Sequence, residues 1–574
     1  MSINARFQFI ANILIEKAVL NQEQVHDFQQ KFGSNFPETQ EELETFIIQN
    51  GLLSENDLLS AYSKHLNIPI IDLTQIEIDP QAISLIPAKF ANRNKVIAIK
   101  KQGLSLVVAM RNPFGIHVID ELKVLTNYKI TPILAKTEGI ASAIKTHYGV
   151  GAETVETLVK ASKESIQAEL SQLKQVADAP EKMAENASII NYVNQILLEA
   201  YQKNATDIHI EPFDDKLRIR YRIDGVLQEA KTSPDIKQLQ VFIISRLKIM
   251  AGINIAERRR PQDGRCKIKL ADEDVDLRLS TFPTLFGEGL SIRLLSKKML
   301  DFGIDQLGFP KESMEKLKNI LKKTNGIILV TGPTGCGKTT TLYSCLSYIN
   351  DTKINIITLE DPIEYQLQGI NQIQINPQVD LTFATGLRSI LRQDPDIIMV
   401  GEIRDIETAQ ISIRAALTGH LMFSTLHTND ALSSIIRLLD LGIEPYLVSG
   451  TVRAVIAQRL VRKICTHCKV KYIPDQSTLN AVGFSQNRDY PEIFYKGAGC
   501  AECNDTGFRG RLGIYELLIV DETLGACIVA GGSAQQLKEQ AIKNNMISLK
   551  ADGMEKVKQG ITTIEEVLRV TEQE

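Results

Sequence analysis

The chain has no tryptophan, and aromatic residues make up only 6% of its 574 positions. It has no excess of basic residues either, because 65 lysines and arginines face 69 aspartates and glutamates, for a formal net charge of −4. Without a clustered basic tract for phosphates or tryptophans for base stacking, the composition argues against a nucleic-acid translocase. We therefore expect no nucleic-acid partner.

Long apolar runs are also missing. None approaches the roughly 20 residues that a membrane-spanning helix needs. The opening residues, Met-Ser-Ile-Asn-Ala-Arg, lack the apolar core of a signal peptide, so we expect a cytoplasmic protein that reaches a membrane only through partners. In that reducing compartment the eight cysteines are more suited to metal binding or plain burial than to disulfides.

A complete phosphate-binding motif, Gly-Pro-Thr-Gly-Cys-Gly-Lys-Thr, occupies residues 332–339. An apolar run at 327–330 precedes it and a helix-compatible stretch at 339–346 follows, which is the context that separates this motif from a chance glycine-rich turn. Backbone N–H groups of the loop can surround the phosphates of ATP or GTP, Lys338 can neutralise their charge, and the Thr339 hydroxyl can help to hold Mg²⁺. The predicted nucleotide-binding residues are Gly332, Pro333, Thr334, Gly335, Cys336, Gly337, Lys338, Thr339 and Thr340.

Acidic side chains close two apolar runs further along the chain. The segment 358–364 contains Glu360, whose carboxylate can hold Mg²⁺ through water or simply belong to a capped Asp-Pro turn. The run 396–400 leads to Glu402, with Gly401 where the usual second acidic motif has Asp. We favour Glu402 as the catalytic residue that orients and deprotonates water, and Glu360 is the alternative base. A plain ion pair between Glu402 and Arg404 is the structural alternative.

Two histidines flank another apolar run, at Thr418-Gly419-His420 and at Thr425-Leu426-His427. Their rings could sense a γ-phosphate by hydrogen bonding, or they could be ordinary side chains with local partners. We include both His420 and His427 among the candidate catalytic residues.

These four segments resemble the Walker A loop, the Asp box, the atypical Walker B segment and the His box of the secretion ATPase superfamily, which powers type II secretion and type IV pili. The resemblance runs from about residue 186 to the C-terminus. It implies an α/β fold, with a RecA-like phosphate-loop ATPase domain and a PAS-like α+β N2 domain. It also implies a hexameric, Mg²⁺-dependent ATPase at the cytosolic face of the inner membrane.

The resemblance extends to segments 204–212, 218–225, 260–265 and 278–284, which look like the N2 domain of that family. In the family, arginines of this domain reach over the nucleotide and stabilise charge on the transferred phosphoryl group. Guanidinium suits that role because it stays ionised and can bridge two phosphate oxygens. We favour Arg278 and Arg293, followed by Arg218 and Arg220, and solvated strand-face arginines are the alternative.

Four cysteines stand in paired spacing, as Cys465-x-x-Cys468 and Cys500-x-x-Cys503. Four thiolates in this pattern suit a tetrahedral, structural Zn²⁺, with redox dithiols as the alternative. In the resembled family, assembly and secretion motors carry such a module, whereas retraction motors generally lack both this module and a long N-terminal domain. Cys266, Cys336, Cys345 and Cys527 are unpaired in sequence and are expected to be ordinary residues.

Composition shifts divide the chain into an α/β N-terminal regulatory or docking domain (1–148), a charged linker (149–185), the N2 domain (186–298) and the ATPase domain (299–574), which includes a zinc-binding subdomain at 460–510. The N-terminal domain resembles that of pilus-assembly and type II secretion ATPases and suggests an internal duplication around Ile13 and Phe46. Some members bind cyclic di-GMP there through two motifs that open Arg-Leu-Gly. Here those positions read Phe9-Ile10-Ala11 and Glu42-Leu43-Glu44, and because acids would repel phosphate we expect no tight cyclic di-GMP binding.

The resemblance therefore implies a homohexameric motor that uses ATP, Mg²⁺ and Zn²⁺ and moves an inner-membrane platform protein to extend a type IV pilus. A type II secretion motor shares every catalytic motif and is the nearest alternative. A nucleic-acid translocase and a nucleotide-gated scaffold that barely hydrolyses ATP remain as more distant alternatives.

Overall fold

The computed structural model describes residues 44, 48, 54–148, 187–296, 303–482 and 493–571. The chain separates into two compact units, Met1–Asp272 with Asp276–Leu294, and Glu273–Val275 with Leu295–Glu574. The suggested duplication around Ile13 and Phe46, the motif position at Phe9 and the linker 149–185 lie outside the described residues.

An α/β domain forms the N-terminal part of the first unit. Strands β1 and β2 are antiparallel, and β2 and β3 are parallel, so the sheet order is β1-β2-β3. Apolar side chains such as Val108, Leu122 and Ile140 fill the space between this sheet and the helices. The elements are α1 (Glu55–Leu66), α2 (Pro80–Ile83), α3 (Ala88–Asn94), β1 (Val96–Gln102), β2 (Ser105–Met110), α4 (Ile116–Thr126), β3 (Lys129–Leu134) and α5 (Thr137–Tyr148).

Glu44, an acid of the second degenerate motif position, is fully buried. It accepts a hydrogen bond from the Tyr62 hydroxyl (2.7 Å) and forms an ion pair with Arg111 (3.3 Å). The expectation that this acid faces and repels a ligand phosphate is therefore wrong for Glu44, since its charge is held inside the domain by an arginine.

Residues 187–296 form an α+β layer in which two helices cover one face of a six-stranded sheet of order β6-β5-β4-β9-β8-β7. Buried and part-exposed residues alternate along β5, which is the pattern of a strand with one covered face. Tyr221 on the covered face donates to Glu199 of the first helix (2.9 Å). The elements are α6 (Ala187–Gln202), β4 (Ala205–Pro212), β5 (Leu217–Ile223), β6 (Val226–Glu229), α7 (Gln240–Met250), β7 (Gln262–Leu270), β8 (Glu273–Thr284) and β9 (Gly287–Ser296).

The second unit is built on a seven-stranded sheet of order β12-β11-β13-β14-β10-β15-β18, parallel except for the edge strand β18. Strands β10, β11, β13 and β14 are buried at every residue because helices lie on both faces. The apolar run at 327–330 lies within β10, the run at 396–400 overlaps β13, and the run between His420 and His427 is β14.

The numbering of helices and strands continues from the first unit into this one. They are α8 (Lys311–Leu321), β10 (Gly326–Thr331), α9 (Lys338–Ile349), β11 (Ile356–Glu360), β12 (Asn371–Gln374), α10 (Phe383–Ile390), β13 (Ile397–Val400), α11 (Ile406–Leu417), β14 (Leu421–Leu426), α12 (Ala431–Asp440), α13 (Pro445–Thr451), β15 (Val452–Ile464), β16 (Lys469–Tyr472), α14 (Gln476–Ala481), β17 (Phe494–Gly497), β18 (Phe508–Ile519), α15 (Glu522–Val529), α16 (Ala534–Lys543), α17 (Leu549–Lys558) and α18 (Ile564–Thr571).

The parallel pairing of the strands in this sheet determines where a ligand site can form. Register partners such as Thr331 with Leu426 and Leu359 with Val400 bring the carboxyl ends of β10, β11, β13 and β14 to one edge of the sheet. Loops that follow parallel strands meet at this edge, where α/β proteins bind their ligands.

Candidate nucleotide site and cysteine cluster

The phosphate loop joins β10 to the N-terminus of α9, as the motif predicts. The helix begins at Lys338 behind Gly337, which has a left-handed backbone (φ 92°). At Gly332 (φ +142°) a Cβ would lie 2.6 Å from the Gln458 carbonyl oxygen and 2.7 Å from the Cys336 sulfur, so only glycine fits. The N–H groups and the helix dipole at the start of α9 make this position suitable for a phosphate.

Lys338 lies against the loop that it would serve. Its ammonium donates to the Gly332 carbonyl (2.7 Å) and the Pro333 carbonyl (3.2 Å). Burial lowers the pKa of the Lys338 ammonium, and nearby negative groups, Glu402 among them, counter part of that shift. Lys338 follows β10 and Glu402 follows β13, so the parallel strands bring the phosphate-loop lysine and the favoured catalytic carboxylate to the same edge of the sheet. Thr339 and Thr340 follow Lys338 in the first turn of the same helix.

Glu402 follows β13 and keeps 13% of its side chain exposed. One carboxylate oxygen lies 2.5 Å from Arg404 Nη2, and the other lies 3.2 Å from His427 Nε2. The ion pair with Arg404 is therefore present, but a carboxylate at the open edge of the sheet beside His427 is also placed to receive a proton from water.

Glu360, the alternative base, is the last residue of β11 and is only 3% exposed. Its carboxylate accepts hydrogen bonds from the Tyr343 hydroxyl, the Thr358 hydroxyl (2.6 Å) and the Gln372 amide (3.0 Å). Three protein donors already bind its two oxygens, so Glu360 is less suited than Glu402 to take up a proton from solvent.

His420 and His427 lie at opposite ends of β14. Because β10 runs parallel to β14 with Gly326 opposite Leu421, His420 stands where β10 begins, whereas His427 stands where β10 enters the phosphate loop. Six strand residues separate the two ends, a distance of about 20 Å. His420 Nδ1 instead contacts the Ala415 carbonyl oxygen (2.9 Å). The expectation that both rings face the γ-phosphate is wrong for His420, because the two ends of one strand cannot share an edge of the sheet.

Several polar residues at this edge escaped the sequence reasoning. The Thr331 hydroxyl lies 2.7 Å from the Thr428 hydroxyl, which in turn lies 2.6 Å from that of Ser434. These contacts tie the segment that carries His427 to the strand that enters the phosphate loop. On the other side of the loop, Gln458 and Arg459 of β15 are 1% and 7% exposed. Their only sequence signal is a polar pair between the apolar residues 454–457 and 460–461.

The candidate arginines all lie in the α+β layer of the first unit, on the face of its sheet that the helices leave uncovered. Arg278 is placed there by strand alternation, because its neighbours Leu277 and Leu279 point into the core. Arg218 and Arg220 both pair with Glu211, the former at 2.8 Å. Arg293 forms an exposed ion pair with Asp207 (3.2 Å). The structure thus gathers the predicted arginines on one charged face and gives three of them acidic partners.

The four predicted cysteines come together. Their sulfur atoms all lie within 4.8 Å of one another, with 3.8 Å between Cys465 and Cys500 and 3.8 Å between Cys468 and Cys503. At Gly497 a Cβ would lie 2.0 Å from the Gly507 carbonyl oxygen, so the two segments meet through glycine backbone alone. Convergence of four sulfur donors in a space of this size fits the tetrahedral site that Zn²⁺ prefers.

Backbone donors support the thiolate form of Cys503, whereas burial raises the pKa of the Cys468 and Cys500 thiols. The N–H groups of Cys500 (3.3 Å) and Gly507 (3.2 Å) both point at the Cys503 sulfur. Burial would raise the pKa of the Cys503 thiol, but these hydrogen bonds bring it to about 7. Because the thiolate is the metal-binding form of cysteine, this donor arrangement also fits a metal.

Within the part of the chain that the structure describes, no helix combines the length and apolar character needed to cross a membrane.

Comparisons with known proteins agree with this geometry. A family model described as type II/IV secretion system protein matches residues 182–569, and a model of the MshEN domain matches residues 66–154. The chain is 41% identical over 562 residues to the type IV pilus assembly ATPase PilB of Myxococcus xanthus, which covers 97% of this chain and 98% of that protein. It is 41% identical over 508 residues to the type II secretion system ATPase E of Vibrio cholerae, which covers 87% of this chain and 100% of that protein.

Among solved structures, the ATPase DotB of Yersinia pseudotuberculosis matches 67% of this chain and 94% of its own, with 22% identity and a TM-score of 0.51. At that level of identity the match speaks to the fold alone, and it agrees with a RecA-like ATPase sheet.

Proposed function

Because this chain belongs to the type II/IV secretion system protein family, we propose that it is a Mg²⁺-dependent ATPase that powers the assembly of a type IV pilus. The observation that carries the ATPase activity is the meeting of Lys338, Glu402 and His427 at the open edge of one parallel sheet. A phosphate-binding lysine beside a carboxylate at a strand end is the arrangement that hydrolysis of a nucleoside triphosphate needs.

Each residue has a separate task in the proposed reaction. The loop N–H groups and Lys338 hold the phosphates, and Glu402 orients a water molecule and accepts its proton. His427, tied to Glu402 at 3.2 Å, positions that carboxylate and can donate a hydrogen bond to the γ-phosphate. The Thr339 hydroxyl would hold Mg²⁺, which when bound neutralises charge on the β- and γ-phosphates.

The proposed motor is a homohexamer. Charge on the transferred phosphoryl group calls for a further cation, and the charged face that holds Arg278 and Arg293 supplies candidates. We propose that these arginines serve the nucleotide across a subunit boundary, so that hydrolysis shifts one domain against another. The motion would turn an inner-membrane platform protein at the cytosolic face of the membrane.

Pilus assembly is favoured over type II secretion by the length of the match to the pilus assembly ATPase of Myxococcus xanthus, which extends through the N-terminal domain. The secretion ATPase of Vibrio cholerae is equally identical over a shorter stretch, so a type II secretion motor remains the second candidate.

A chromosomal Lys338→Ala variant tests the proposal, with exposed Lys323→Ala as the matched control. Surface pili and exported proteins are counted in the same cultures. Loss of pili with normal export supports the pilus motor, whereas normal pili with lost export would move the protein to type II secretion. A Lys338→Ala strain that keeps both would contradict a motor role.

Regulation by cyclic di-GMP is not part of the proposal. The two positions that open Arg-Leu-Gly in ligand-binding relatives read Phe9-Ile10-Ala11 and Glu42-Leu43-Glu44 here, so both phosphate-facing arginines are missing. A calorimetric titration of the full chain that gives micromolar or tighter affinity would contradict this expectation.

A further inference from the structure

Gln458 is a buried side chain that bridges the phosphate loop to the helix behind it. It lies on β15 and is 1% exposed. Its amide nitrogen donates to the Cys336 carbonyl oxygen (2.7 Å), and its amide oxygen accepts from the Thr341 hydroxyl (2.7 Å). One side chain thus bonds to the inner turn of the loop and to the first turns of α9 at once.

The backbone of Gln458 also touches the loop at its beginning. Parallel pairing of Thr331 with Ala457 places Gln458 beside Gly332, the first loop residue. A Cβ at Gly332 would lie 2.6 Å from the Gln458 carbonyl oxygen, and a Cβ at Gly337 would lie 3.2 Å from its amide nitrogen. Both glycine ends of the loop therefore pack directly against this residue.

We propose that Gln458 is a positioning residue that holds the phosphate loop in its nucleotide-binding conformation. Glycines leave the loop free to adopt many conformations, and binding must then order it at an entropic cost. Hydrogen bonds from one rigidly buried amide to both sides of the loop remove that freedom before the nucleotide arrives. The inference rests on the nucleotide site proposed above and assigns to β15 a role in that site.

Glutamine is the residue type that satisfies both partners. The Cys336 carbonyl needs a donor and the Thr341 hydroxyl needs an acceptor, and only an amide offers both from one side chain of this length. Leucine at 458 would fill a similar volume but would remove both hydrogen bonds, the one to the Cys336 carbonyl and the one from the Thr341 hydroxyl. The two hydrogen bonds of Gln458 therefore require an amide side chain as well as this position on β15.

The test compares nucleotide affinity among single variants of the full chain. The measurement is a titration with a fluorescent ADP analogue in the presence of Mg²⁺, and thermal unfolding is recorded without nucleotide. Gln458→Leu and Thr341→Val should each weaken binding roughly tenfold, as expected for loss of a buried hydrogen bond. Thr341→Ser keeps the hydroxyl and should bind as tightly as the wild type.

A matched control separates positioning from general stability. Ser412 is fully buried in α11 and donates one hydrogen bond to the Thr408 carbonyl (2.8 Å), away from the loop. Ser412→Ala should leave nucleotide affinity unchanged, whatever change it produces in the unfolding temperature. The double variant Gln458→Leu/Thr341→Val should bind no more weakly than Gln458→Leu, because the two residues share one hydrogen bond.

Two outcomes distinguish failure of this inference from failure of the proposed function. If Lys338→Ala loses binding while Thr341→Val retains wild-type affinity, the role of Gln458 is refuted and the nucleotide site stands. If Lys338→Ala binds as tightly as the wild type, the nucleotide site itself is refuted. Should Gln458→Leu fail to fold, the contrast between Thr341→Val and Thr341→Ser decides the question.

Discussion

At the scale of single residues, local partners decide which of two glutamates can act as a base. Glu360 and Glu402 both follow apolar strands and both lie at the carboxyl edge of the sheet. They differ in their surroundings, since Glu360 is enclosed by three donors whereas Glu402 remains partly exposed beside His427. The sequence spacing alone carries no information about this difference.

Glu402→Gln should reduce the rate of ATP hydrolysis by at least about a hundredfold, because the amide cannot accept a proton from water. Nucleotide affinity should stay close to that of the wild type, since Glu402 bonds to Arg404 and His427 and not to the loop. Phosphate release and ADP binding are measured side by side, with Glu360→Gln for comparison. A fully active Glu402→Gln protein would favour Glu360 as the base or a scaffold with little turnover.

In the core of the α+β layer, the presence or absence of a hydrogen-bond partner also decides how much a buried tyrosine hydroxyl contributes to stability. Tyr192 is the example without such a partner. Its side chain is buried, and its hydroxyl has no hydrogen-bond partner among the described residues. Tyr192→Phe should therefore leave the free energy of unfolding unchanged or raise it by up to about 1 kcal/mol. Tyr221→Phe is the matched variant, and it should destabilise by about 1 kcal/mol because it loses a bond to Glu199. Denaturant unfolding that ranks the two variants in the reverse order would contradict this account.

At the scale of elements, the long hairpin β15–β18 joins distant parts of the second unit. It pairs from Ala454 with Ile519 to Ile464 with Phe508. Gln458 lies at the middle of β15, and Cys465 of the cysteine cluster follows the C-terminal end of that strand. Helix α18 binds the same strand through Glu566, which accepts from Arg462 Nη2 (2.8 Å) and Arg569 Nε (2.6 Å). The C-terminal helix is thus held to the hairpin by a buried carboxylate.

The pH dependence of stability follows from this carboxylate. Burial would raise the pKa of Glu566, but the hydrogen bonds from Arg462 and Arg569 lower it from 4.5 to about 2. Because the pKa is lower in the folded protein than in the unfolded chain, ionised Glu566 adds to the free energy of unfolding, on the order of 3 kcal/mol. This contribution is complete above pH 4.5 and is lost as the pH falls toward 2. Glu566→Gln should be less stable than the wild type at pH 7, and the gap should narrow below pH 4.5. The measurement is chemical unfolding of both proteins between pH 2 and pH 7, with the variant Glu565→Gln at an exposed position as the control. A difference in the free energy of unfolding that grows as the pH falls would contradict the low pKa of Glu566.

At the scale of the whole molecule, we expect the cysteine cluster to stabilise the second unit by binding a metal ion. Purified protein should contain about one zinc ion per chain, held by four thiolates with no position open for water. Cys468→Ser should lose the metal and unfold at lower temperature, whereas Cys527→Ser, a free cysteine outside the cluster, should keep it. Metal analysis measures the zinc content of each protein, and thermal unfolding measures its stability. Metal-free protein with four rapidly alkylated cluster thiols would favour the redox alternative.

The role proposed for the charged face of the α+β layer also depends on the whole molecule. Arg218, Arg220 and Arg293 have acidic partners within their own sheet. Guanidinium groups presented on a strand face can exchange carboxylate partners for phosphate oxygens, because both anions accept paired hydrogen bonds from a guanidinium. A hexamer would provide that exchange between subunits, which is why the proposed function includes one.

The sequence by itself determined the features that depend on contiguous residues. The phosphate loop, the paired cysteines and the apolar runs at 327–330 and 421–423 can be recognised because the chemistry of each lies in neighbouring positions. Only the tertiary structure decided the rest. Strand direction placed His420 away from the loop, burial paired Glu44 with Arg111, and strand order brought Gln458 to the loop from more than a hundred residues away. Those outcomes follow from register and packing between distant segments, which no local pattern encodes.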